Sequence, residues 1–241
     1  MSAAAPLGPA EVTLTFDNGP EPEATPAVLE VLRRRGLRAS FFVLGHKLAD
    51  PARRALAERA HAEGHWIGNH TFTHSVPLGE QPDDERTAEA EIGRTQELIG
   101  ELAHPDRLFR PFGGGGRLGP HLLGEATLAY LLRHRFTCVL WNAVPGDWRD
   151  PDGWVDRALA RCRGPSPVTL VLHDLPTGAM RHLDRFLGAL ADEGCRFRQD
   201  FPAACVPIRR GERLAPMDPY VARGPADRHG TGGASGGEHA R

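Results

Sequence analysis

The chain has 241 residues, 40% hydrophobic and 25% charged, with 29 lysines and arginines, 31 aspartates and glutamates and a formal net charge of −2. That composition suits a globular protein with a sizeable core, and no run approaches the roughly 18 apolar residues of a membrane span. The balanced charge argues against nucleic acid as a partner, which requires a basic face.

In chain order, residues 1–10 are small, apolar and broken by proline, and read as an N-terminal extension. They lack the basic and apolar regions of a secretory leader, so a cytoplasmic location is expected. A buried strand is predicted near Val12–Phe16, then a helix from Thr25 to Gly36, with Pro26 at its first position and Val28, Leu29 and Leu32 as its apolar stripe. A strand near Ala39–Leu44 precedes a helix over Pro51–Glu63 that stops at Gly64, and a third strand follows near His65–Gly68. Asp83 and Asp84 place acid before a helix over Glu85–Glu101, where the helix dipole favours it. Strands near Leu108–Pro111, Thr137–Asn142, Val168–His173 and Cys195–Phe197 then alternate with helices over Pro120–His134, Gly153–Arg163 and Gly178–Glu193.

Strict βα order implies a parallel sheet with right-handed crossovers, as a barrel or a doubly wound open sheet. One α/β domain over 11–210 accounts for the pattern. The pattern fails after about Pro207, and residues 211–241 are expected to form a disordered C-terminal tail, since from Gly224 the chain is poor in apolar residues. Cys138, Cys162, Cys195 and Cys205 form no Cys-x-x-Cys pair and read as buried thiols.

In parallel α/β sheets, active sites form at the carboxyl ends of the strands. Asp17-Asn18-Gly19-Pro20 follows the first predicted strand, and His70 and His74 follow the third. Arg110 ends the fourth, Asp147-Trp148 follows the fifth after a short loop, and His173-Asp174 ends the sixth. The spacing His70-x-x-x-His74 lets two imidazoles grip one ion, and its neighbours Gly68-Asn69 and Ser75-Val76-Pro77 place it in a short turn. Each group also has an ordinary explanation. Asp-Asn-Gly-Pro is common turn chemistry, His173 suits a hydrogen-bonded core histidine, Arg110 a surface arginine, and Asp147-Trp148 a packed loop tip. The run Gly113–Gly116 lacks the Lys-Ser/Thr of a phosphate-binding loop. It suits instead a close approach of backbone N–H groups to a ligand.

Taken together, Thr15-Phe16-Asp17-Asn18-Gly19-Pro20, His70-Thr71-Phe72-Thr73-His74, Arg110-Pro111-Phe112-Gly113, Asp147-Trp148 and Leu170-Val171-Leu172-His173 resemble, in order, the motifs of the polysaccharide deacetylase family. This is the NodB-homology domain of carbohydrate esterase family four, and the resemblance runs from about Glu11 to Gly194. It implies a single distorted (β/α)7-type barrel and a metal-dependent N-deacetylase, a hydrolase of carbon–nitrogen bonds. By that likeness Asp17 matches the catalytic base, His173 the general acid and Arg110 the residue orienting the base. His70, His74 and Asn18 fall at the positions of the metal ligands, with zinc the expected ion. Phe112, Gly113, Asp147 and Trp148 fall in the substrate-binding loops, the backbone N–H near Phe112 or Gly113 serving the oxyanion and Trp148 walling the acyl pocket. The implied partner is a carbohydrate or small N-acylated substrate, with neither nucleic acid nor a membrane span; the oligomeric state is left open.

The chain departs from the family pattern at three positions. Asn18 stands where a ligand aspartate is expected, Phe112 replaces a tyrosine, and Val144 aligns with an acid of the fourth motif. A neutral amide oxygen still coordinates, but hard cations favour charged oxygen. Two other readings follow: a metal-free or altered amidase of the same superfamily, akin to its cyclic-amide hydrolases, and an inactive carbohydrate-binding pseudoenzyme.

Overall fold

The computed structural model describes residues 10–222. Its organising strand is β1 (Glu11–Asp17), buried from Val12 to Asp17. Strand β6 (Val168–His173) runs parallel along one edge, in register from Val12↔Val168 to Asp17↔His173. The other edge is shared. Strand β2 (Ser40–Val43) pairs with residues 15–17 and β7 (Arg196–Arg198) with residues 11–13. Strands β3 (Trp66–Asn69), β4 (Leu108–Phe109) and β5 (Thr137–Cys138) continue the parallel order β6-β1-β2-β3-β4-β5.

The predicted fifth strand runs to Asn142, but the ladder ends at Cys138. The chain then crosses to β6, where Ala143 forms a parallel bridge with Leu170 and its carbonyl accepts from Val171 N at 2.9 Å. That crossing curls the sheet into a distorted barrel, as the βα order and the resemblance imply.

Helices α1 (Thr25–Arg35) and α3 (Pro51–Ala62) match the prediction. Pro26 opens α1, and Gly36 closes it at φ 64°, a left-handed cap that glycine adopts without strain. Asp50 caps α3 by accepting from Ala52 N and Arg53 N. A short α2 (Gly45–Leu48) was not expected. The expected helix Glu85–Glu101 is present but interrupted: α4 (Glu85–Ala88), a π turn over Glu89–Gly93 and α5 (Arg94–Ile99). Helices α6 (Glu125–Arg133), α7 (Trp154–Cys162) and α8 (Leu183–Asp192) complete the cover. The main core packs Val12, Leu14 and Phe16 of β1 against Leu29, Leu32, Trp154 and Phe186 of the helices.

The predicted domain end at 210 is too early. After β8 (Ile208–Arg209) the chain turns into β9 (Glu212–Arg213), an antiparallel hairpin on β5. Met217 and Val221 are buried in a second core cluster with Phe109, Phe136 and Trp141. Two well-spaced apolar residues among polar ones leave no periodic signature, so the sequence pattern did not register them. The rest of the expected tail, 223–241, and residues 1–9 lie outside the described residues. All four cysteines are free, with Cys138, Cys162 and Cys205 buried and Cys195 partly exposed. No helix among the described residues is long and apolar enough to cross a membrane.

Candidate active site

The parallel register brings the ends of β1, β3, β4 and β6 to one rim. There a pocket of about 170 Å³ is lined by Asp17, Asn18, His70, His74, Phe112, Gly113, Trp148 and His173. Arg110 and Asp147 lie fully buried behind it. The residues expected from sequence thus gather at one place.

Arg110 organises the floor. Its Nη1 donates to Asp17 Oδ1 at 2.8 Å and to Thr15 Oγ1 at 2.7 Å, and its Nε donates to the Val139 carbonyl at 3.2 Å. The guanidinium lies over the Phe42 ring, 4.0 Å from its centroid. Burial pulls the Arg110 pKa down, and the Asp17 carboxylate opposes that pull.

The Arg110 carbonyl also fixes a histidine. It lies 2.8 Å from His70 Nδ1, and a carbonyl only accepts, so Nδ1 carries the proton. Burial lowers the His70 pKa to about 3, so the ring is neutral and Nε2 is a bare acceptor. Nε2 stands 3.6 Å from Asp17 Oδ2, another acceptor. Two facing acceptors with no proton between them suit a cation or the hydrogens of a water. Burial likewise lowers His74 to about 3, and its ring centroid lies 4.9 Å from that of His70 and 3.8 Å from that of Phe112.

Asn18 adds a third donor. Its side-chain oxygen is buried and finds no hydrogen-bond partner among the described residues. An orphaned amide oxygen on a residue that lines the same pocket as two neutral imidazoles fits a divalent ion. Among the described residues no three His, Cys, Asp or Glu side chains form a metal cluster.

The loops carrying these donors are held by charged side chains that sequence reading missed. Asn18 sits at φ 73°. Lys47 Nζ donates to its carbonyl at 2.6 Å, and Arg53 Nη1 donates to the Pro20 carbonyl at 3.1 Å. Both cations converge on the nearly buried Glu21, each at 2.5 Å. Gly19 is required by a close approach, because a Cβ there would lie 2.1 Å from Asp174 Oδ2. Asp174 is fully buried, takes a 2.5 Å bond from Thr25 Oγ1, and has its pKa raised by burial to about 7.

The His70–His74 segment is a non-helical loop, with Thr71 and His74 at positive φ. Glu91 Oε2 accepts from Phe72 N at 3.0 Å and Thr73 N at 2.9 Å, while its Oε1 accepts from Thr73 Oγ1 at 2.6 Å. Asn69 Oδ1 accepts from Thr71 N, and its Nδ2 donates to the Ile92 carbonyl. Both Glu91 and Ile92 lie in the π turn, a local widening often found at functional sites.

On the opposite wall, Asp147 Oδ1 lies 2.9 Å from His173 Nδ1, and Asp147 Oδ2 accepts from His173 N at 2.8 Å. Burial disfavours the His173 cation, but the Asp147 carboxylate outweighs it and the pKa lies above the ordinary histidine value. The Trp148 ring meets His173 edge-on at 4.6 Å.

Residues 4–118 match the family model described as polysaccharide deacetylase. The chain is 31% identical over 199 residues to a peptidoglycan-N-acetylglucosamine deacetylase of Bacillus cereus, covering 80% of this chain and 67% of that protein. It is 33% identical over 183 residues to a chitooligosaccharide deacetylase of a Bradyrhizobium species, covering 72% and 75%. Among solved structures, a family 4 carbohydrate esterase from Streptomyces lividans in complex with acetate matches with a TM-score of 0.65 at 29% identity, over 86% of this chain and 98% of that one. The chain belongs to the polysaccharide deacetylase family.

The glycine loop is shaped by Trp141, another residue missed in sequence. A Cβ on Gly113 would lie 2.6 Å from the Trp141 ring, and Trp141 Nε1 donates to the Gly116 carbonyl at 2.9 Å. Val144 also lines the pocket, and Arg110 Nη2 has no partner among the described residues. Arg110→Met leaves the Asp17 carboxylate buried without its cation. Urea unfolding should show a loss of about 3–5 kcal/mol, and a loss below about 1 kcal/mol would show that Asp17 does not depend on this pairing.

Proposed function

We propose that the protein removes the acyl group from the N-acylated amino sugar of a saccharide, by hydrolysis of the amide. One observation supports this most directly. A buried carboxylate held by an arginine and an imidazole backed by a carboxylate face one pocket, beside two neutral histidines. An amide hydrolase needs those groups: one to take a proton from water, one to give a proton to the departing nitrogen. The names of the relatives support the N-acetylated saccharide as substrate class.

His70 Nε2, His74 and Asn18 Oδ1 would hold a divalent ion, with zinc favoured by two imidazoles. Such an ion supplies Lewis acidity toward the acyl oxygen and makes a nearby water more acidic. The other roles belong to the chain. Asp17 accepts the proton of the attacking water, and Arg110 fixes the orientation of its carboxylate. The backbone N–H groups of Phe112 and Gly113 donate to the oxygen that gains charge in the tetrahedral state. His173, with Nδ1 engaged by Asp147, presents Nε2 to the pocket and protonates the leaving amine. Trp148 and Trp141 shield the acyl group from water.

Amine release from N-acetylated chitooligosaccharides tests the reading. His173→Ala should lower turnover by roughly 10²–10⁴ and leave metal content unchanged. Loss of bound metal in that variant would remove His173 from the role of acid. Turnover that survives complete chelation would favour the metal-free amidase, and sugar binding without turnover the pseudoenzyme.

The acid role also sets a pH dependence. The acid works while protonated, so activity persists below the raised His173 pKa and falls as pH rises through it. Asp147→Asn removes the carboxylate that raises this pKa, so the alkaline limb of the kcat profile should move to lower pH. An unmoved limb would assign it to another group.

Asn18→Asp restores a charged oxygen and should raise metal affinity, read by calorimetric titration. Unchanged affinity would exclude position 18 from the metal's neighbours.

A further inference from the structure

The catalytic pocket does not end at Val144 and Trp148. Beyond them lies a second cavity of about 360 Å³, and Gly115, Gly116, Val144 and Trp148 line both. Three charged side chains border the second cavity: Arg149, Asp150 and Arg157. Two of them satisfy each other. Arg157 Nη1 donates to Asp150 Oδ2 at 2.8 Å, Asp150 Oδ1 accepts from Gly153 N at 3.0 Å, and Arg157 Nε donates to the Pro145 carbonyl at 2.7 Å.

Arg149 remains. Its guanidinium makes no hydrogen bond or ion pair with any described residue, and its Cζ lies 5.3 Å from the Trp148 ring centroid. It rests against the glycine loop, with Nη2 2.8 Å from where a Cβ on Gly115 would stand. Gly115 has φ 97°, so the loop holds a residue without a side chain where the guanidinium lies. A free, planar, five-donor cation thereby borders the second cavity, which adjoins the catalytic pocket. The cavity on the other side of the site is lined by both Arg117 and Glu80, with no ion pair between them.

We propose that Arg149 reads an anionic group, a carboxylate or a phosphate, on the sugar next to the one that loses its acyl group. The preferred substrate is then an N-acylated saccharide carrying negative charge beside the reacting unit. This rests on the deacetylase reading for the reaction but not for the binding. A guanidinium forks onto two oxygens of either anion, and a neutral sugar hydroxyl gives it no counter-charge.

Three probes test this: a neutral N-acetylated chitin trisaccharide, the same trisaccharide oxidised to a uronate at a terminal sugar, and the same bearing a terminal phosphate. For the wild type, kcat/KM for the charged probes should exceed the neutral value by about three- to tenfold, carried by KM, as expected for a charge-assisted pair with the exposed Arg149. The advantage should shrink in high salt. Arg149→Gln should bring the charged-to-neutral ratio close to one, while Arg185→Gln, on α8, leaves it as in the wild type. Preference for the uronate or for the phosphate identifies which anion the site takes. Equal kcat/KM for all three probes in the wild type, or a preference that survives Arg149→Gln, overturns the proposal. Calorimetric binding of the same probes gives the ratio without turnover. If nothing is deacetylated but the charged probes still bind more tightly through Arg149, the deacetylase reading falls and this one stands.

Discussion

A charge buried in a barrel core survives only with a partner, and here one pair fixes several features at once. Arg110 is fully enclosed, and its strongest compensation is the carboxylate of Asp17. The pair ties the end of β1 to the end of β4. The Arg110 backbone carbonyl then sets the tautomer of His70, which turns its bare nitrogen toward the same carboxylate. One residue therefore orients the group assigned as base and one of the groups assigned to the metal. Its side chain and its main chain act on them separately.

The same economy recurs around the rim. Charged side chains hold the loops that carry the reactive groups. Glu21 gathers Lys47 and Arg53, and these reach the carbonyls of Asn18 and Pro20. Glu91 accepts three bonds from the His70–His74 loop. Asp147 accepts both the ring and the main-chain N–H of His173. Irregular loops with left-handed residues carry open backbone donors, and a buried carboxylate satisfies two or three of them together. This makes a rim of short loops stiff enough to hold catalytic geometry.

The sequence showed the strands, their order and the reactive residues at strand ends, because each of those signals is local. Val168–His173 is six buried residues in a row, and Pro26 and Gly36 mark the ends of one helix. What stayed hidden depends on contacts far apart in the chain. Glu91 is one acid among several in a helical stretch, and only the π turn aims it at Phe72 and Thr73. Trp141 was counted as strand, but the chain leaves the ladder after Cys138 to reach β6. Met217 and Val221 looked like tail until they met Phe136. The sole lysine, Lys47, gave no sign of its place, because its partners Asn18 and Glu21 lie 29 and 26 residues away.

The asparagine at position 18 gains meaning from the charges around it. Asp17 is neutralised by Arg110, and both His70 and His74 are uncharged. On the proposed reading, a divalent ion held by His70, His74 and Asn18 would keep nearly its full positive charge. An aspartate at 18 would cancel part of it. Such an ion would be held less tightly with asparagine than with aspartate, and its Lewis acidity would be greater for the same reason. The pocket as a whole is also more positive than its counterpart with an acid. An anionic saccharide would meet that field and Arg149 with the same sign of attraction, so the neutral residue at 18 and the free arginine beyond Trp148 favour the same kind of substrate.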